Sequence, residues 1–305
     1  CKNDSDVTTA TQALQGQPTL FLDCEGDRLG LKGGRLSLIS IGIHSQDDNE
    51  PLVYLIDALA LETAALRPIF NLLESSNVRK VVFDARMDQS ALFHDHGRVE
   101  MQNLVDLQLA DIKSRARRGE DAQSVEQLAR LTPYLPPNEV NSHAPLYGVV
   151  QKLSRLTQAV EEHQVDVAHT QMTLKARFDH TKWAKRPLPR SYLKYAANDI
   201  ALIAHLWAKF MDEGYIDGAL PEQSLRYARM WTVGAQPYPE DVYKLHGLLP
   251  LNILENIQAD QVKLCSGCER SLPQDCFSNS AWNLGVNRKC LVCRAIGIRL
   301  AIRRK

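Results

Sequence analysis

An apolar run that ends in two carboxylates constrains the fold of this chain more than any other feature. Residues 18–25 read Pro-Thr-Leu-Phe-Leu-Asp-Cys-Glu, so Asp23 and Glu25 stand two positions apart at the end of a predicted strand. Alternate side chains of a strand point to the same face, which places both carboxylates on one face of a sheet. Like charges repel there, and a bound divalent cation would offset the repulsion. The other interpretation is an ordinary strand end that enters a polar loop.

The segments that follow alternate between predicted strands and predicted helices. Strands are predicted at 18–25, 36–43, 52–57, 80–84 and 103–107, and helices at 62–73, 86–96 and 191–213. The short apolar strand at 80–84 is typical of a sheet that is covered on both faces. This order of elements predicts an α/β fold with a largely buried central sheet. We expect residues 132–145, which contain four prolines, to be irregular.

Two further segments add acidic candidates. Asp88 follows the strand at 80–84 near the start of a predicted helix, with Asp84 four residues earlier. Tyr195 and Asp199 are four residues apart within the helix at 191–213, so they point to the same side. Each acid also has a purely structural interpretation. Asp84 or Asp88 can cap the helix, and Asp199 can lie on its polar face.

Together these segments resemble the DEDD superfamily of 3′–5′ exonucleases, of the ribonuclease D type. The Asp-x-Glu motif of that family is matched by Asp23 and Glu25, and its second motif places an Asp at Asp88. Its third motif, Tyr-x-x-x-Asp, is matched by Tyr195 and Asp199. The resemblance covers roughly residues 17–215. It implies a ribonuclease H-like exonuclease domain with a central mixed sheet flanked by helices.

The resemblance is closest to the tyrosine branch of this superfamily. The other branch has His five positions before the last Asp, where this chain has Lys194. Residues 183–188 (Trp-Ala-Lys-Arg-Pro-Leu) are similar to the lead-in before the third motif, and residues 80–92 with 103–106 look closest to an Egalitarian-like subgroup.

Four acids without a histidine suit Mg²⁺ or Mn²⁺ and suit Zn²⁺ poorly. Two such ions can hold both the attacking and the leaving oxygen of a phosphodiester. The resemblance implies that Asp23 bridges the ions, that Glu25 and Asp199 complete the shell around the nucleophile, and that Asp88 holds the second ion. Tyr195 would orient the attacking water, since its usual pKa near 10 makes it a poor base.

The predicted function is therefore metal-dependent removal of nucleotides from single-stranded 3′ ends, with RNA somewhat favoured over DNA. The alternative is a catalytically silent RNA-binding adaptor that retains the exonuclease fold, because Egalitarian-type relatives include members that have lost catalytic acids. All five motif positions are filled in this chain, which favours the enzyme. A third possibility is a scaffold that carries the cysteine segment described next.

Two Cys-x-x-Cys pairs near the C-terminus predict a structural zinc site. The pairs are Cys265 with Cys268 and Cys290 with Cys293, with 21 residues between them. This spacing is close to that of four-thiolate zinc sites, whose metal supplies most of the folding free energy of a short segment. We expect Cys276 to be a buried residue outside the site. The segment is similar to small zinc modules of fungal proteins, which implies a fungal source. Both a nucleic acid and a protein remain open as its partner.

Charge and cysteine content set the remaining expectations. The formal charge is zero, yet residues 261–305 contain nine Lys or Arg and only two Asp or Glu. With seven cysteines and no disulfide-like framework, the chain suits a reducing intracellular compartment, either nucleus or cytoplasm. No stretch has the ~20 apolar residues of a membrane span, and the first residue, Cys1, leaves targeting open. The expected layout is a disordered lead-in, an exonuclease domain, a helical extension and a basic zinc module, at 1–16, 17–215, 216–260 and 261–305.

Overall fold

The computed structural model of the protein divides the chain into two compact units. It describes residues 1–45, 50–122, 124–167, 179–233 and 235–303. The first unit comprises Cys1–Ala110 and Arg155–Tyr238, and the second comprises Asp111–Ser154 and Pro239–Lys305. The predicted boundaries divide the chain differently, because they place residues 111–154 in the exonuclease domain and residues 239–260 in a separate extension.

The first unit is built on a five-stranded sheet in the order β3-β2-β1-β4-β5. The strands are β1 (Thr19–Asp27), β2 (Arg35–Ile43), β3 (Leu52–Asp57), β4 (Arg79–Val82) and β5 (Leu104–Asp106). The pairs β1–β2 and β2–β3 are antiparallel, whereas β1–β4 and β4–β5 are parallel. The mixed sheet expected from the sequence is therefore confirmed, and each predicted strand lies within two residues of its observed bounds.

Helices precede, connect and follow these strands. They are α1 (Asp4–Leu14), α2 (Thr63–Glu74), α3 (Arg86–Asp95), α4 (Leu107–Arg117), α5 (Val125–Ala129), α6 (Pro137–Tyr147), α7 (Leu156–Glu162), α8 (Arg190–Asp212), α9 (Leu220–Ala228), α10 (Asn279–Trp282) and α11 (Leu291–Arg303). Short 3₁₀ helices span His180–Ala184, Arg229–Trp231 and Gln274–Cys276. Within the described ranges no helix is both long and apolar enough to cross a bilayer.

The two faces of the sheet have different partners. Leu22 and Cys24 of β1 belong, with residues of α1 and α2, to one large apolar core. Asp23 and Glu25 point to the other face because side chains alternate along a strand. On that face α8 approaches β2 so closely that a Cβ on Gly42 would lie 2.3 Å from Cγ2 of Ile200. The strand pattern thus places both carboxylates beneath α8.

The N-terminal segment does not form the disordered lead-in that its polar composition predicts. It forms α1, which starts at Asn3, whose side chain accepts a hydrogen bond from the backbone N–H of Asp6. Val7, Ala10 and Leu14 are buried at intervals of three and four residues. This apolar stripe packs on the core and stabilises a helix whose other faces are polar.

The proline-rich stretch at 132–145 is also more regular than expected. Its second half lies in α6, which has Pro137 in its first turn. Proline is well tolerated there because the N–H groups of a first turn have no partner within the helix. The helix is interrupted at His143, where the backbone leaves helical geometry two residues before Pro145. The segment predicted as helical at 216–260 contains α9 and one 3₁₀ turn in its described part.

The second unit has an apolar core of its own. Residues from α6 and the C-terminal segment meet in it, among them Tyr147, Leu248, Phe277 and Leu291. A two-stranded hairpin of β6 (Lys263–Leu264) and β7 (Ser271–Leu272) lies beside the first cysteine pair. The cysteine segment therefore folds together with residues 111–154.

Candidate active site

The end of β1 carries the first two predicted site residues. Asp23 lies opposite Ser40 and Glu25 opposite Leu38 in the ladder with β2. The pairing register then shifts between Glu25 and Gly26, which marks a β-bulge. Gly26 is required at the bulge, since a Cβ there would lie 2.1 Å from the carbonyl oxygen of Arg35. The bulge interrupts the ladder directly after the two acids, and pairing resumes with Gly26 opposite Leu36.

Helix α8 brings a third carboxylate to this pair. The ligand oxygens of Asp23, Glu25 and Asp199 all lie within 4.8 Å of one another. Asp199 reaches this position because its neighbour Ile200 packs onto Gly42, where no side chain holds the helix away from the sheet. Residues from one strand and one distant helix therefore form a single acidic cluster.

The protonation of the cluster reflects its burial. Burial raises the pKa of Asp23 and of Glu25 well above the ordinary range, and the neighbouring acids raise both further. Burial also raises the pKa of Asp199, to about 7. Three carboxylates with no cationic partner in the described structure are unfavourable as protein alone. Hard divalent cations such as Mg²⁺ or Mn²⁺ prefer this donor set, so the residues present fit such ions.

Asp88 lies beside this cluster and outside the group of three oxygens. It is in the first turn of α3 and is 5% exposed. Burial raises its pKa well above the ordinary range, and the charge of Asp23 is the next cause. All four predicted acids thus meet in one region, with Asp88 at its edge. Asp84, four residues earlier and the less favoured match to the second motif, forms an ion pair with Arg86.

Tyr195 lies one helical turn before Asp199 on α8. Its pKa is raised far above the ordinary value, first by burial and then by the charge of Asp199. A side-chain hydrogen bond with the Tyr195 hydroxyl lowers the pKa of Asp199. A phenol in these surroundings stays protonated, so Tyr195 can donate a hydrogen bond and cannot act as a base.

Arg186 organises the segment that leads into α8. Its guanidinium bonds both carboxylate oxygens of Asp57 at 2.6 Å and donates to the carbonyl oxygen of Ser37 at 2.9 Å. It also donates to the carbonyl oxygens of Trp183, at 2.7 Å, and of Lys185, at 2.8 Å. All five N–H donors are therefore used.

The hydrogen bond from Arg186 to Trp183 holds the tryptophan whose ring lies next to Tyr195. Trp183 is fully buried, and its ring packs edge-on against Tyr192 at 4.8 Å and lies 6.3 Å from Tyr195. The sequence offered the Trp…Arg-Pro-Leu lead-in as part of a resemblance, but it gave no sign that Asp57 is the partner of Arg186. The two residues are 129 positions apart and meet only in the folded chain.

The second unit contains the predicted cysteine cluster. The Sγ atoms of Cys265, Cys268, Cys290 and Cys293 all lie within 4.8 Å of one another. Cys276 is outside this group, and burial raises the pKa of its thiol to about 11. The backbone N–H groups of Gly267 and Cys290 donate to Sγ of Cys265 at 3.4 and 3.2 Å. Four sulfurs with N–H donors fit a tetrahedral Zn²⁺ site of the structural type.

A Cβ on Gly267 would lie 2.7 Å from Sγ of Cys293. Glycine is therefore needed inside the first Cys-x-x-Cys turn for the two pairs to come together.

The family model described as 3′–5′ exonuclease matches residues 1–214. The chain belongs to this family. The predicted enzyme class, a metal-dependent 3′–5′ exonuclease, is thereby confirmed. No curated protein matches the chain.

Solved structures of Trypanosoma brucei RNase D share the fold of this exonuclease. Its complex with RNA U12 matches with a TM-score of 0.53 and 23% identity, over 84% of this chain and 77% of the other. Its GMP complex matches with a TM-score of 0.54 and 22% identity, over 84% and 70%. A third structure, described as RNase D alone, has a TM-score of 0.52 and 22% identity, over 84% and 79%.

Proposed function

We propose that this exonuclease removes nucleotides from single-stranded 3′ ends by two-metal-ion hydrolysis, with RNA preferred over DNA. The approach of the Asp23, Glu25 and Asp199 oxygens to within 4.8 Å of one another carries the proposal. The preference for RNA is supported by the fold shared with an RNase D that has been solved with RNA.

Each acid has a separate task in this proposal. Asp23, Glu25 and Asp199 would hold one Mg²⁺ or Mn²⁺ ion, which activates the attacking water, and Asp23 with Asp88 would hold a second ion, which stabilises the leaving group. Such ions, when bound, lower the pKa of a coordinated water and neutralise charge on the leaving 3′-oxygen. Tyr195, whose hydroxyl is hydrogen-bonded to Asp199, would also hydrogen-bond the attacking water and orient it, while Trp183 and Arg186 fix the position of its ring.

The four cysteines have a structural task in the same proposal. Cys265, Cys268, Cys290 and Cys293 would hold one Zn²⁺ that stabilises the second unit, and four sulfur ligands would leave it no open position for catalysis. A nucleic-acid or protein partner of this unit, a fungal source and a nuclear or cytoplasmic location stay predictions.

Labelled oligonucleotides test the proposed reaction. RNA and DNA of one sequence, labelled at either the 3′ or the 5′ end, are incubated with the protein and with Mg²⁺, Mn²⁺ or a chelator. We expect metal-dependent release of mononucleotide from the 3′ end, faster for RNA, and none from Asp23→Ala. Asp212→Ala is the matched control, because this exposed acid lies at the far end of α8. Tight RNA binding without shortening at any metal concentration would instead identify the silent adaptor.

A further inference from the structure

Helix α9 begins after the part of the chain that matches the exonuclease family, which ends at residue 214. It nevertheless lies in the first unit and packs against β5 and α3. Two of its polar side chains, Ser224 and Tyr227, are fully buried. Buried polar groups are retained where they have hydrogen-bond partners, and the partners of these two residues lead to the turn before Asp88.

The turn that precedes α3 has an unusual backbone. Asp84 has a φ of 64°, in the left-handed region that residues other than glycine rarely adopt. The carboxylate of Asp106, at the end of β5, holds this turn by accepting hydrogen bonds from the backbone N–H groups of Asp84 and Ala85, both at 3.0 Å. A strained backbone persists only where its surroundings determine it, and here Asp106 supplies part of that constraint.

Ser224 holds Asp106, the residue that binds the turn, in place. Its Oγ accepts a hydrogen bond from the backbone N–H of Asp106 at 2.9 Å and donates one to the carbonyl oxygen of Leu220 at 2.7 Å. The end of β5 is thus tied to α9 through Ser224. Any shift of α9 would move Asp106 and, with it, the two N–H groups that Asp106 binds.

Tyr227 supports the same turn through the side chain of Arg86. Arg86 forms a bidentate ion pair with Asp84 at 2.6 and 2.7 Å, and its guanidinium lies 4.8 Å from the centre of the Tyr227 ring. The Tyr227 hydroxyl donates to Oε1 of Gln108 at 2.7 Å, which fixes the ring. Arg86 is only 6% exposed and stands two residues before Asp88. The ring therefore supports the first turn of α3, in which Asp88 lies.

We propose that α9 is a positioning element of the active site, in which Tyr227, through Arg86, and Ser224, through Asp106, hold Asp88 in place for the second metal ion. The inference rests on the proposed function, since it takes Asp88 as a ligand. A buried ion pair is weak evidence for stability alone, because desolvation offsets much of its attraction. The buried arginine is better explained by the geometry that it imposes on the turn.

Metal binding by the full-length protein tests this inference. We would measure Mn²⁺ binding by calorimetry, and the Mg²⁺ concentration that gives half the maximal rate on a short RNA, for the wild type, Tyr227→Phe, Tyr227→Leu and Ser224→Ala. Tyr147→Phe is the matched control, because Tyr147 is an equally buried tyrosine of the second unit whose hydroxyl donates to Glu139 at 2.6 Å. Melting temperatures are recorded for all variants.

We expect Tyr227→Leu and Ser224→Ala to weaken Mn²⁺ binding and raise the half-saturating Mg²⁺ concentration by about tenfold, the lower end of the effect of losing an outer partner of a ligand. Tyr227→Phe keeps the ring and should show a smaller shift in the same direction. The KM for RNA should stay unchanged, and Tyr147→Phe should lower the melting temperature without altering metal binding. Lower melting temperatures in the α9 variants with unchanged metal binding would overturn the inference. An inactive wild type that binds Mn²⁺, with weaker binding in the α9 variants, would refute the proposed function and support the positioning role.

Discussion

Asp199 occupies a position that favours metal binding at the expense of stability. Its ligand oxygen lies within 4.8 Å of those of Asp23, which is partly buried, and of Glu25, which is buried. We predict that Asp199→Asn lowers kcat by more than about 100-fold, because it removes several kcal/mol of transition-state stabilisation by a bound ion. The same change should raise the melting temperature in the presence of a chelator, because it removes an acid whose charged form is disfavoured by burial. Steady-state kinetics and calorimetry measure the two effects, and a variant that loses activity and stability together would contradict the explanation.

Glu139 gives the second unit a defined response to acid. The hydroxyl of Tyr147 donates to this carboxylate at 2.6 Å and Arg294 donates at 3.0 Å, and these contacts lower its pKa, the Tyr147 bond contributing most. A carboxylate with a lowered pKa contributes stability above its unfolded pKa and loses it as the pH falls through the folded value. We predict that Glu139→Gln is less stable than the wild type by about 1 kcal/mol at neutral pH.

The difference in the free energy of unfolding between the wild type and Glu139→Gln should disappear in acid, below the pKa of Glu139 in the folded protein. Calorimetric unfolding of both proteins across the pH range measures it, and the comparison cancels acid effects that the two share, such as protonation of the cysteines. A difference that is independent of pH would show that the variant is destabilised by lost packing.

The candidate site residues could be located from the sequence, whereas the residues that hold them in place could not. Alternation along a strand places Asp23 and Glu25 on one face, and helical spacing does the same for Tyr195 and Asp199. These are local rules, and the resemblance to the DEDD exonucleases marks the four residues as site residues. The contacts of Arg186 with Asp57 and of Arg86 with Tyr227 join residues more than 100 positions apart. No local pattern encodes such a pair, so only the folded structure reveals it.

At the scale of elements, the position of α8 depends on one missing side chain. A Cβ on Gly42 would lie 2.3 Å from Cγ2 of Ile200, next to Asp199. We predict that Gly42→Ala displaces α8, lowers kcat and reduces stability by about 1–3 kcal/mol, the usual cost of overpacking. Kinetics and chemical denaturation measure both effects.

A second substitution tests the steric cause of this effect. Leucine has no Cγ2 branch, so Gly42→Ala combined with Ile200→Leu should recover part of the activity. Gly218→Ala is the control, because a Cβ there meets nothing within 4 Å and its backbone is not left-handed. Failure of the double variant to recover would indicate that the alanine disturbs the sheet itself.

The two helices that sequence patterns missed, α1 and α6, both depend on tertiary contacts. The helices α1 and α6 are stabilised by tertiary packing, because the residues of α1 are mostly polar and α6 contains two prolines. Helical stability in proteins comes mainly from packing of an apolar face, which for α1 consists of only a few residues. The strands, in contrast, carry an apolar signal in nearly every residue that faces the core, which is why their bounds were predicted within two residues.

At the scale of the whole molecule, the two units should depend on different metals. The second unit combines a modest apolar core with a four-sulfur cluster, and a cluster of this kind supplies folding free energy only when it is metallated. We predict that one Zn²⁺ per chain is lost in Cys265→Ala and retained in Cys276→Ala, because Cys276 lies outside the cluster. Elemental analysis of the purified variants measures the metal content.

Zinc removal should then affect the two units unequally. After treatment with a strong chelator, hydrogen exchange should show lost protection in peptides from 111–154 and 239–303, because these segments share one core. Peptides from the sheet of the first unit should keep their protection, since that sheet is stabilised by its own apolar core. Uniform loss of protection across both units would show that zinc stabilises the entire chain. Unchanged protection in the second unit would show that its apolar core suffices without metal.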